Sequence, residues 1–143
     1  MSEQENTHIA EQIFDDMNSR ELGRSASIYS PTYQFEGPGA SGPLAYEPSL
    51  AYIQSYINAF PDLHFTLKTR IADGDNVAIT WTATGTHSGP MMTPTGAQIP
   101  PTGKKGVVNG CTTYRFQGGK IVSSENYWDM ASLLMQLGLM PAM

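Results

Sequence analysis

The stretch "LHFTLKTRIADGDNVAITWTATGTH", residues 63–87, decides the fold. Apolar and polar residues alternate with a period of two on both sides of "ADGDN". Each arm therefore reads as a half-buried β-strand, and the Asp-Gly pair marks a tight hairpin between them. "VVNGCTTYRFQGGKIVSSENYW", residues 107–128, repeats the arrangement of strand, Gly-Gly turn and strand. Between the hairpins, "SGPMMTPTGAQIPPTGKKG", residues 88–106, is a Pro- and Gly-rich loop of a length that is often functional or mobile in compact domains.

The first half is helical. Ile9, Ile13 and Met17 recur at helical spacing with Ala10 and Phe14 beside them, which predicts an amphipathic helix from Glu3 to Asn18. "RELGRSASIYS", residues 20–30, reads as a second short helix ended by Pro31, because a residue ahead of proline is pushed away from helical angles. "TYQFE", residues 32–36, alternates like a short strand and enters the loop "GPGASGPLAYEP". Leu50, Ile53, Ile57 and Phe60 predict a third helix, stopped by Pro61. A last helix opens after Asp129 and ends at Gly138, a C-cap residue. Helices followed by a strand meander predict one α+β domain over residues 1–143, with helices on one face of a curved antiparallel sheet around a cone-shaped cavity.

The composition excludes several classes. With a net charge of -5 and no basic stripe, nucleic acid is not an expected partner. The single Cys111 cannot close an internal disulfide, and no Cys/His set has zinc-ligand spacing. No stretch approaches the length of a membrane span and the N-terminus lacks a signal-peptide pattern, so a cytoplasmic location without a membrane partner is expected. Met130, Met135, Met140 and Met143 make the C-terminus adaptable core filler or a partner surface.

Five segments together resemble one family: "AFPDLHFT" (59–66), "GTHSGPM" (85–91), "IPPTGKKGVVNG" (99–110), "RFQGGKI" (115–121) and "YWDMASLLMQLG" (127–138). In this order and spacing they resemble the SnoaL-like polyketide cyclases, or ester cyclases, of the nuclear transport factor two-like superfamily. The resemblance implies a cone of helices and curved sheet, a homodimer, and an intramolecular aldol-type ring closure of a polyketide-like or other small carbonyl substrate. It also implies that the acid opening the last helix is the general acid/base, here Asp129, with the histidine of the "GTH" strand end, here His87, beside the pocket. Where many relatives carry His or Asn before the early Pro-Gly loop this chain has Glu36, and Glu125 stands where relatives often have Trp. Both add negative charge near the expected pocket.

The chemistry needs no metal and no organic cofactor, because a carbon between two carbonyls is already acidic. One carboxyl can remove its proton and later protonate the new alkoxide, a contribution of roughly two to four powers of ten in rate. Asp129 suits that role if an apolar pocket, walled by Tyr127 and Trp128, disfavours its charged form. A helix cap is the structural alternative, and a helix N-terminus favours the anion. Neutral His87 would donate to the substrate carbonyl. Tyr33, Tyr52 and Tyr56 are candidate ring contacts for the substrate, the last two one turn apart on one helix face. Arg115 is a candidate for binding a carboxylate. If Gly118 and Gly119 form a two-residue turn, Phe116 pairs with Ile121, and Arg115 shares a face with Val122, Ser124, Asn126 and Trp128. Asp129 then lies on the other parity, with Tyr127 and Glu125, unless a bulge intervenes near Trp128. Two other readings fit the same cone: an epoxide hydrolase or cofactor-free hydroxylase, which would bring Glu36 or Glu125 to Asp129 and Arg115, and a non-catalytic small-molecule-binding domain.

Overall fold

The computed structural model of the chain describes residues 2–92 and 96–141; Met143 and the middle of the long loop fall outside them. Helix α1 spans Glu3–Asn18. Ser2 and Glu5 close a reciprocal capping box at its start, with Glu5 N–H donating to Ser2 Oγ at 3.0 Å and Ser2 N–H to Glu5 Oε1 at 3.2 Å. Its buried stripe is Ala10, Ile13, Phe14 and Met17.

The helix expected over residues 20–30 is absent. Turns run from Ser19, with Arg20 and Gly23 at positive φ, and one 3-10 turn spans Ala26–Ile28. Asp16 is the physical reason. Its carboxylate, 5% exposed, accepts hydrogen bonds from Arg24 Nε at 2.7 Å and Ser25 Oγ at 2.6 Å, and this draws the connection back across the end of α1.

Strand β1 consequently begins early, Tyr29–Glu36, and takes in Pro31. It is an edge strand, where a missing N–H is tolerated. Helix α2 is Tyr46–Ala59. The first hairpin joins β2 (His64–Asp73) to β3 (Asn76–Thr86), with Gly74 at positive φ in its two-residue loop. Within the long loop, β4 (Met91–Met92) pairs with β5 (Gln98–Ile99), a small ladder that the loop reading did not contain. The second hairpin joins β6 (Lys105–Gln117) to β7 (Lys120–Trp128) through Gly118 and Gly119, both at positive φ as a type I′ turn requires. Helix α3, Met130–Gln136, ends in a Schellman turn: Gly138 has positive φ, and Leu139 N–H donates to Leu134 O at 2.9 Å.

The main sheet runs β1-β7-β6-β3-β2, with β1 parallel to β7 and the remainder antiparallel. Its inner face carries Val77, Ile79, Trp81 and Ala83 from β3, all at most 5% exposed, and α1 packs across β2 and β3. Asn18 fixes that packing by bracketing the Phe65 backbone, donating to its O at 2.9 Å and accepting from its N–H at 2.8 Å. Among the described residues no helix is long and apolar enough to cross a membrane.

Candidate functional site

Helices α1 and α2 cover the concave sheet without filling it, and a cavity of about 130 Å³ remains between them. This is below the several hundred Å³ usual for drug-sized ligands, so the space matches a small molecule. One wall is an aromatic run across helix α2 and strands β1 and β7 of the sheet. Phe35 meets Tyr52 at 4.9 Å between ring centroids, Tyr52 meets Tyr56 at 5.2 Å, and Tyr56 meets Trp128 edge-on at 5.5 Å. None of the described residues lining the cavity is Asp, Glu, Lys, Arg or His.

The polar groups of the lining are neutral, and some of them are tied to one another. Trp81 Nε1 donates to Thr112 Oγ1 at 3.0 Å, Thr112 Oγ1 to Asn126 Oδ1 at 2.8 Å, and Asn126 Nδ2 to the Glu36 carbonyl at 2.9 Å. This relay stitches β3, β6, β7 and β1 on the inner face. A second group lies beside it. Tyr33 and Ser124 share a hydroxyl hydrogen bond of 2.5 Å, Tyr114 stands directly across the ladder from Ser124, and the Tyr29 ring packs on Tyr33 at 4.7 Å. Burial pushes the Tyr33 phenol up to about 12 and raises Tyr29 and Tyr114 as well, each further raised by its neighbouring phenols.

Of the residues expected from sequence, Tyr33, Tyr52 and Tyr56 line the cavity. Asp129 does not. It is exposed, and its Oδ1 accepts the Ser132 N–H at 2.9 Å, so the carboxyl caps α3 rather than opening into an apolar pocket. Trp128 before it lines the cavity and Tyr127 points away, so the wall expected from both rings is half formed. His87 is fully buried but also outside the lining, stacked on Phe60 at 5.4 Å. Its Nδ1 accepts Thr102 N–H at 3.2 Å, which makes it an anchor for the far end of the long loop, and its Nε2 has no partner among the described residues.

The strand arithmetic for Arg115 needs correction. Phe116 pairs with Ile121, but a bulge next to it pairs Arg115 with Ser123. Arg115 therefore lies with Ser123, Glu125 and Tyr127 on the outer face of the sheet, exposed, while Ser124, Asn126 and Trp128 face inward. Tyr127 is 55% exposed and donates its hydroxyl to Glu125. Glu36 is also exposed, pairs in register with Glu125, and contributes only its carbonyl oxygen to the cavity's relay. Glu36, Glu125, Asp129 and Arg115 do not converge on the cavity, which removes the arrangement an epoxide-opening site would need. Sequence reasoning missed Tyr29, Tyr114, Ser124, Thr112 and Asn126 as lining groups, and Asp16 as the buried carboxylate. The inward parity of Ser124, Asn126 and Trp128 was available, but it was attached to the wrong partner on β6.

Two outcomes follow from these placements. Burial lowers the His87 pKa, so below the ordinary histidine value near 6.5 the unfolded chain binds the proton first. The His87 contribution is therefore complete above about pH 6.5 and declines as pH falls toward the folded value. Urea unfolding should show lower stability at pH 5.5 than at pH 7.5, and His87→Gln should narrow that difference. For Asp129, the cap assignment predicts a loss of about 1 kcal/mol for Asp129→Ala and only a few tenths for Asp129→Asn, an equally good cap, in the same assay.

The sequence matches the family described as SnoaL-like polyketide cyclase over residues 8–137. No curated protein matches it significantly. Among solved structures it is similar to AclR of Streptomyces galilaeus, a candidate hydroxylase. The TM-score is 0.84 and the identity 26%, over 99% of this chain and 89% of that one. It is also similar to IdmH of Streptomyces antibioticus, a candidate polyketide cyclase. That TM-score is 0.79 and the identity 27%, over 93% of this chain and 98% of the other. A candidate polyketide cyclase of Acidithiobacillus ferrooxidans gives a TM-score of 0.78 at 26% identity, over 99% of this chain and all 100% of that one. With the match running through the helices, both hairpins and the α3 cap, the chain belongs to the SnoaL-like polyketide cyclase family.

Proposed function

We propose that the chain is a cofactor-independent enzyme that takes a small, uncharged carbonyl compound of polyketide type into its cavity and closes a ring in it. The observation that supports this is the lining itself: aromatic rings and neutral hydrogen-bonding groups, with no charged side chain among the described residues. Such walls hold a flexible chain folded with its reacting carbons close together, and pre-organisation of this kind is worth about 7–11 kcal/mol of barrier in well-oriented systems. The carbon acid between two carbonyls then loses its proton to solvent base, and the alkoxide that forms takes one from water. Asp129, which caps α3 outside the lining, is not assigned that transfer.

The test is a short β-polyketone ester incubated with the protein, with cyclised product measured by mass spectrometry and binding measured separately. The expected result for Asp129→Asn is unchanged binding and turnover within about threefold of wild type, because folding of the substrate supplies most of the acceleration. A drop on the order of a hundredfold in turnover, with binding intact, would instead return the proton transfer to Asp129.

The likeness to AclR supports a second reading, oxygen insertion in the same cavity. Oxygen consumption with the same substrates separates the two. Binding without any product leaves a binding domain. Assembly as a homodimer belongs to the proposal too: Ile71, Val107 and Tyr127 are 60%, 49% and 55% exposed on the outer face of the sheet. Light scattering reads the mass directly.

A further inference from the structure

We propose that one end of the cavity is a subsite for a neutral ketone oxygen, formed by the hydroxyls of Tyr29 and Tyr114 beside the Tyr33–Ser124 pair. This deepens the proposed function and rests on the cavity being the substrate site. All four residues line the cavity. Ser124 is 2% exposed, hydrogen-bonded to Tyr33 at 2.5 Å, and directly opposite Tyr114 on the neighbouring strand.

The hydrogen-bond inventory singles out two of the four. The Tyr33–Ser124 bond consumes one hydroxyl proton. Among the described residues neither the Tyr29 nor the Tyr114 hydroxyl forms a hydrogen bond, although Tyr114 is 4% exposed. Both residues line the cavity, and two unspent phenol donors on one apolar cavity mark the place of a ligand acceptor. A carbonyl oxygen has two lone pairs and accepts from both.

The charge of that acceptor is also constrained. Among the described residues no Lys, Arg or His lines the cavity, and the Asp16 carboxylate acts on Tyr29 from outside the lining. A carboxylate brought here would lose its hydration without gaining a cation, whereas a ketone keeps its hydrogen bonds. Two phenols donating to a ketone also polarise it, which increases the acidity of the adjacent C–H that ring closure must deprotonate.

Three bicyclic probes of similar size test the subsite by NMR titration: 1-tetralone, which presents a ketone; tetralin, which has no oxygen; and 1-naphthoate, an anion. Wild-type protein is expected to bind 1-tetralone about tenfold more tightly than tetralin, and 1-naphthoate no better than tetralin. Tyr114→Phe keeps the ring and should erase the ketone preference while leaving tetralin affinity unchanged, which also reports that the cavity is intact. Tyr29→Phe should do the same and replaces it if Tyr114→Phe does not fold. Equal binding of tetralin and 1-tetralone, a preference unchanged by the substitutions, or tighter binding of 1-naphthoate overturns the subsite while the cavity reading stands. Failure of both tetralin and 1-tetralone to bind overturns the two together.

Discussion

Gly89→Ala is expected to lower the unfolding free energy by about 3 kcal/mol or more, above the usual range for adding one methyl group to a packed site. A Cβ at Gly89 would lie 1.9 Å from the Asn58 carbonyl oxygen and 3.0 Å from its carbon. Both are backbone atoms at the end of α2, so no side-chain rotation relieves the contact. The close approach is held by Gly89 N–H donating to Ala59 O at 3.1 Å, and Ala59 is fully buried. Relief therefore requires the start of the long loop to leave α2, with loss of that hydrogen bond and of the packing of Met91 beside Ala59 and Phe60. A domain of this size loses roughly 3 °C per kcal/mol, so melting near 10 °C below wild type is the calorimetric expectation. A change under 1 kcal/mol would mean that the loop does not dock on α2 in solution. The same variant should weaken ligand binding less than it weakens folding, since neither Gly89 nor Ala59 lines the cavity.

A smaller steric test acts on the cavity itself. Gly110 lies between Trp81 and Trp128 in register, and a Cβ there would come within 2.4 Å of the Trp81 ring. The neighbour here is a side chain that lines the cavity, so Gly110→Ala is expected to tilt the indole into the cavity. The measured outcome is weaker binding of a bicyclic ligand, with a stability loss of about 1–3 kcal/mol.

These two glycines indicate which parts of the molecule were legible in sequence. Period-two alternation and the Asp-Gly and Gly-Gly turns located both hairpins, because strand pairing across a two-residue loop is local chemistry. The 3.6 period located α1 and α2 for the same reason. The stretch 20–30 misled because a proline boundary and moderate helix formers suggest a helix, whereas the fold is set there by a contact with Asp16 on the preceding helix. An ion pair between a helix end and the turn after it leaves no periodic trace. At the site, one bulge between Arg115 and Phe116 moved every residue of β6 above it to the other face relative to β7. Tyr114 and Thr112 thereby became lining residues and Arg115 an exposed one. Family resemblance located the segment around Asp129, but its cap geometry depends on where α3 docks. The carboxyl follows its own helix's N–H groups, and the inward-facing polar groups of β7 are the two neutral residues Ser124 and Asn126.

Asp16→Asn is expected to cost about 2 kcal/mol at pH 7 and to flatten the acid limb of the stability profile. The carboxylate accepts from Gln12 Nε2 at 2.8 Å, Arg24 Nε at 2.7 Å and Ser25 Oγ at 2.6 Å, and it forms an ion pair with Arg24. Breaking a fully buried pair costs about 3–5 kcal/mol, but the Arg24 side chain is 41% exposed and returns to water, so the expected cost is lower. Burial alone would raise the Asp16 pKa; hydrogen bonds from Ser25, Gln12 and Arg24, with the Arg24 charge, more than offset it and hold the carboxyl below its ordinary range. Its folded pKa is therefore below the unfolded value. The contribution is complete above about pH 4 and disappears as pH falls through the folded pKa. Urea titrations at pH 7 and pH 3 should thus show wild type and Asp16→Asn well separated at the first and less so at the second. A gap that does not narrow between them would assign the effect to packing rather than charge. The consequence reaches the cavity because the turn held by Asp16 leads directly into Tyr29, so loosening it displaces that ring. Asp16→Asn should therefore reduce the affinity for a ketone ligand more than for its hydrocarbon analogue, without Asp16 touching either.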